Sequence, residues 1–292
     1  MNSNKSESHN PVQISEKRNL YLFFIITFLF SWFFWIPPIL ITHGISFPSL
    51  LADFFMGPFN LGAWGPFVAA FLLTYFNNGK EGVFGLLKRG VDYKFHKLWL
   101  IPILLLMPFI TGVSLIISSF LGDPLPGLSI FYEPWLIGFW FFYLLLLGGP
   151  LQEEFGWRGY ALDRLQKNRS ALTSSIILGV IWAVWHFPLN FAAGAAGPQY
   201  GMAISLFIGA LITMSLISIL FTWIYNNTGR SILAALLFHT SLNLSTFILF
   251  PVFEVQSALL FYIILILATA VLVLIIWGRK TLMKDKKFMV SE

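Results

Sequence analysis

Apolar runs recur along this chain at residues 19–43, 51–77, 98–121, 134–166, 171–190, 202–225, 230–250 and 256–277. Each is long enough to cross a hydrocarbon core as one helix, which takes about 20 residues. In hydrocarbon every backbone N–H and C=O must be paired within the protein, which leaves a helix bundle or a closed barrel. A barrel needs short strands alternating apolar with polar residues, whereas these runs are continuously apolar. The sequence therefore predicts an all-α, polytopic membrane bundle of about eight transmembrane helices. Prolines within the runs, among them Pro37, Pro38, Pro58, Pro66, Pro102 and Pro108, are compatible with this because neighbouring helices can re-satisfy the freed backbone groups. Charged residues are 11% of the chain, against about 25% in a soluble domain.

The charges that remain fix an orientation. With the N-terminus placed in the cytoplasm, all 18 lysines and arginines fall on the cytoplasmic side. They group as Lys5, Lys17 and Arg18; Lys80 to Lys97; Arg158 to Arg169; Arg230; and Arg279 to Lys287. The outer side carries only Asp53, Asp123, Glu133 and Glu254. This is the asymmetry of the positive-inside rule, and it predicts an even number of spans with both termini cytoplasmic in the cell membrane. The net charge of +5 then describes topology and contact with anionic lipid, not nucleic acid. The expected layout is a polar tail over 1–18, a transmembrane domain over 19–277 with its chemistry in 150–245, and a basic tail over 278–292. No small-residue cleavage site follows the first apolar run, so a retained helix is expected there. Cysteine is absent, which removes disulfides, thiolate nucleophiles and thiolate metal sites.

Against this background the sequence Glu153-Glu154-Phe155-Gly156-Trp157-Arg158 is unusual. Ionisable groups inside a membrane are costly and tend to pair, face a cavity or carry function. On a continuous helix Glu154 and Arg158, four apart, share a face, while Glu153 points elsewhere. One carboxylate is then held by an arginine and the other is left available as a base. The spacing alone fits a plain helix end among headgroups equally well. His186 lies in the next run, four residues after Trp182, and His239 and Asn243 form another four-residue pair in the seventh. At 1.5 Å per residue, Glu153, His186 and His239 lie roughly 20, 22 and 13 Å from the cytoplasmic ends of their helices, so the three can meet at one level. His9, His43 and His96 have no such company. The segments 78–97 and 192–201 are the two that can gate access.

Glu153-Glu154-x-x-x-Arg158, an aromatic four residues before His186, and His239-x-x-x-Asn243 together resemble the motif set of the CPBP intramembrane proteases. That family includes the type II CAAX prenyl endopeptidases and bacterial bacteriocin-processing or immunity proteins. One departure is Trp182, where phenylalanine is commoner. The resemblance implies an intramembrane endopeptidase acting on a membrane-associated substrate, a prenylated or precursor peptide. It implies that Glu153 is the general base, that His186 helps hold the water, and that His239 and Asn243 stabilise the oxyanion. Glu154, Arg158 and Trp182 would support them. Members have also been described as metal-dependent, in which case Glu153, His186 and His239 would bind a divalent ion such as zinc with one position open. No His-Glu-x-x-His element occurs, and a mechanism that requires no cofactor is the expectation. The alternatives are a non-catalytic membrane immunity factor, a proton-linked transporter using the same polar cluster as a relay, and a membrane acyltransferase built on His239 and Asn243. The last leaves the Glu153-Glu154-Arg158 element without a purpose.

Overall fold

The computed structural model describes residues 11–57, 61–191 and 204–284. The segment 192–201, expected as a gate, lies outside the described residues. Eleven α-helices occur among the described residues: α1 (Pro11–Thr42), α2 (Ser49–Phe55), α3 (Gly65–Gly90), α4 (Leu100–Phe120), α5 (Trp135–Leu147), α6 (Pro150–Gly156), α7 (Asp163–Gln166), α8 (Ala171–Trp185), α9 (Ile204–Asn227), α10 (Ile232–Leu244) and α11 (Gln256–Trp277). Two stretches of π-helix interrupt the pattern, Trp157–Leu162 between α6 and α7 and Ser245–Leu249 after α10.

Six of the described helices are long and apolar enough to span a membrane, and a seventh span results if α5 and the helix from Pro150 to Gln166 count as one. The run predicted as one span over 51–77 is divided differently. It holds the short α2, and α3 starts only at Gly65 and continues to Gly90 through a non-helical Gly79. Near its middle α3 carries Asn77-Asn78-Gly79-Lys80-Glu81, too polar to read as membrane helix; asparagine and glycine propagate a helix poorly, and helical geometry breaks at Gly79 before resuming to Gly90. Of the segment 78–97 expected as a loop, most is therefore helical.

The helix starts follow from local chemistry. Ser170 and Ser231 cap α8 and α10 by accepting hydrogen bonds from the backbone N–H of Thr173 and Ala234, which satisfies donors left open at a helix start. The basic ends of the helices gather at one end of the bundle. Glu16 of α1 meets Lys167 at 2.7 Å, and Arg89 of α3 meets Asp163 at 3.0 Å and the carbonyl of Arg230. The carbonyls of Arg279 and Lys280 receive the first N–H groups of α8. At the other end Asp123 is bound by the hydroxyls of Ser118 and Ser257.

Burial sorts the helices into shells. In α10 67% of the apolar window is buried within the protein, against 17% in α1 and 22% in α11. The outer helices offer their apolar residues to lipid, and α10 is the central post. Helix α6 packs against α3, α5 and α10, and every one of its residues from Gln152 to Gly156 is buried. Gly156 permits this: a methyl group there would overlap the Pro66 backbone of α3.

Candidate active site

The helix that carries the glutamates is not continuous with the run before it. Between α5 and α6 the chain turns by 42° at Gly148-Gly149. Gly149 has φ +113°, a conformation essentially closed to residues with a Cβ. Pro150 then opens α6, a position where its missing N–H costs nothing. The turn is closed by Gln152, whose Oε1 accepts from the Gly149 N–H at 2.6 Å and whose Nε2 donates to the Leu147 carbonyl at 3.2 Å. The break puts Glu153 in the first turn of a buried helix, where the helix dipole favours a negative charge.

Glu153 is 4% exposed. Its Oε2 accepts two indole N–H groups, from Trp182 at 2.7 Å and from Trp157 at 3.3 Å. Its Oε1 faces Gly149, where an added Cβ would sit 2.8 Å from that oxygen. Gly149→Ala combines this overlap with a φ an alanine resists, a strain of about 1–3 kcal/mol. It is expected to lower turnover about tenfold or more, together with a drop in melting temperature. Unchanged steady-state kinetics in the purified variant would show that the turn does not set the carboxylate position.

Glu154 and Arg158, fully buried, form the predicted pair at 2.8 Å. This excludes the plain helix end among headgroups. The same Glu154 oxygen also meets Nδ1 of His239 at 2.7 Å, so helices α6 and α10 are joined through one carboxylate. Arg158 lies over the Phe221 ring, 3.7 Å from its centroid, and 5.0 Å from that of Trp182. Aromatic faces can partly replace water around a guanidinium.

His186 ends α8. Its Nδ1 lies 3.0 Å from the Trp182 carbonyl, a contact that requires the proton on Nδ1 and leaves Nε2 as the free nitrogen. Trp182 lies at the centre of the group, with both histidine rings 5.6 Å from its own. From α1, Trp35 stacks on His186 at 6.2 Å, and Trp32 donates to the Trp185 carbonyl at 3.1 Å. Asn243 reaches from α10 to the Gly148 carbonyl at 3.0 Å, beside the turn that holds Glu153. The structure thus gathers Glu153, Glu154, Arg158, Trp182, His186, His239 and Asn243, drawn from α6 and the π-helical stretch after it, the end of α8, and α10, in one site in which His186 and Asn243 are partly exposed and the rest are buried. It adds Trp157 and the Gly148-Gly149 turn. Trp182→Phe keeps an aromatic ring, though a smaller one, and removes one hydrogen bond to a charged group, worth about 1.5–3 kcal/mol. We expect roughly tenfold lower turnover from it with the fold intact; full activity would assign the tryptophan to packing alone.

Among the described residues no three histidine, aspartate or glutamate side chains converge as metal ligands. Glu154 engages Nδ1 of His239, the bond that a metal-bound histidine also makes, and two indoles take up one oxygen of Glu153.

A buried carboxylate gathered with two histidines inside a bundle of apolar helices is the kind of intramembrane ionisable cluster that carries function. A model of the Rce1-like type II CAAX prenyl endopeptidases matches residues 134–245. CAAX prenyl protease 2 of Methanococcus maripaludis is 30% identical over 240 residues, covering 79% of this chain and 85% of that protein. Lysostaphin resistance protein A of Staphylococcus haemolyticus is 26% identical over 198 residues, 66% of this chain and 49% of that protein. The chain belongs to the Rce1-like CAAX protease group of the CPBP intramembrane proteases. It is a multi-pass membrane protein and a protease.

Proposed function

We propose that the protein cleaves a peptide bond near the membrane-anchored end of a peptide or protein, using water activated by Glu153. The carboxylate takes a proton from water as the oxygen adds to the scissile carbonyl carbon. It then returns that proton to the departing amine, giving a carboxylate product and an amine product. His186 Nε2 holds the water, and His239 and Asn243 donate to the oxyanion that forms, a role in which preorganised donors count most. Glu154 and Arg158 steady His239. The observation that carries this reading is the Glu153 carboxylate itself. It is buried, one oxygen is fixed by two N–H donors, and a histidine with a free nitrogen shares the tryptophan that holds it. The reaction written this way needs no metal.

The Methanococcus maripaludis relative is named a CAAX prenyl protease, which makes a lipidated C-terminal peptide the first substrate class to try, with a membrane-borne precursor peptide the second. The orientation that supports such access has both ends of the chain and the basic helix ends on the cytoplasmic side of the cell membrane. The test compares cells carrying wild type and Glu153→Gln at matched expression, by mass spectrometry of membrane-associated peptides. Products found with wild type alone establish proteolysis and identify the substrate class. Identical peptide profiles, with any cellular phenotype retained by the variant, would instead favour an immunity factor or a transporter.

A further inference from the structure

At the basic end of the bundle, where α1 enters and the glutamate-bearing helix leaves, a cavity of about 190 Å³ opens between the two. It is lined by Lys17, Arg164, Lys167 and Arg169, by the single acid Glu16, and by Leu20 and Asn168. Arg164 is built in. Its guanidinium carbon lies 3.4 Å from the centroid of the Tyr160 ring, and Nη1 donates to the Tyr160 carbonyl at 3.0 Å. Its Nε is buried and makes no hydrogen bond among the described residues; it faces Glu16 Oε2 in a long ion pair at 3.9 Å, while the other Glu16 oxygen meets Lys167 at 2.7 Å. A fixed arginine whose Nε makes no hydrogen bond, with Lys17, Lys167 and Arg169 around it, matches the charge and donor geometry of a phosphate. Leu20 marks the edge of the apolar span, which is the depth of lipid headgroups.

We propose that this cavity binds a phosphate group, carried by an anionic lipid headgroup or by a soluble phosphate ester. Basic pockets between membrane helices at the surface are suited to such headgroups. Glu16 holds the site in the absence of the anion and is displaced from Lys167 when the phosphate enters.

The test uses the purified full-length protein in detergent micelles. Native mass spectrometry measures retention of phosphatidylglycerol against phosphatidylcholine, and glycerol 3-phosphate is added as competitor. Wild type is expected to prefer the anionic lipid about fivefold or more, and Lys167→Gln/Arg169→Gln to lose most of that preference, since each cation near the surface contributes about fivefold. Lys94→Gln/Lys97→Gln removes the same charge at the same end and is expected to change it little. Glu16→Gln should tighten binding where Glu81→Gln does not. Competition by glycerol 3-phosphate supports the site and assigns a soluble source; retention of lipid despite the competitor supports it and assigns the headgroup. Equal loss in both lysine-containing pairs, or equal effects of the two glutamate substitutions, would reduce the preference to general charge and overturn the proposal. All four variants leave Arg164 on Tyr160, and their melting curves report whether the bundle is intact.

Discussion

Glu153→Gln is expected to reduce turnover by about 10³-fold, within the 10²–10⁴ range associated with a positioned base, and to leave the melting temperature unchanged or slightly raised. The amide keeps the shape of the carboxylate and an oxygen that can still accept from the Trp182 and Trp157 indoles. What it loses is the ability to take a proton. It also removes a buried charge, so no folding penalty accompanies the loss of chemistry. The measurement is the initial rate of the purified variant on the cleaved peptide that the cellular comparison identifies, beside a thermal melt. A rate within tenfold of wild type, at unaltered stability, would remove Glu153 from the role of base and direct attention to Glu154 or to a different reaction.

The pairing of Glu154 with Arg158 was readable from sequence because it depends only on four-residue helical spacing, which survives even as the helix becomes a π-helix from Trp157 onward. The meeting of three helices at one level was readable for a similar reason, since depth scales with residue count. What the continuous-helix reading missed was the turn at Gly148-Gly149-Pro150. The signal was there, because Gly-Gly and Gly-Pro are strong breakers and proline favours a first helical position. Apolar residues on both sides hid it, as hydropathy is blind to a change of direction within the membrane. The same blindness joined α2 to α3 across Gly57 and stopped the third helix near residue 77, although it continues to Gly90. Trp157 could not be distinguished by pattern from the many aromatic residues that pack or face lipid; its role depends on which N–H points at Glu153. The second engagement of Glu154, with His239, lies 85 positions away in sequence and is a product of tertiary packing alone.

Arg158→Ala is expected to destabilise the protein by about 3–5 kcal/mol, the range for removing one partner of a buried ion pair. The corresponding fall in melting temperature is on the order of 10 °C. The substitution leaves Glu154 fully buried, with His239 as its one remaining side-chain partner among the described residues. A melt of normal midpoint would show that the pair is not buried in the folded protein. Two causes can lower it, however, because Arg158 also covers Phe221 and Trp182. Glu154→Gln/Arg158→Met separates them: it removes both charges, fills the guanidinium space with an apolar side chain, and leaves an amide to bond His239. Replacing both members of a buried pair is often close to neutral where removing one is not. If the uncompensated carboxylate is the cause, the double variant should regain more than half of the stability that Arg158→Ala loses. A double variant as unstable as the single would instead trace the loss to the aromatic packing, with the ion pair contributing specificity for the His239 position and little to the free energy of the fold.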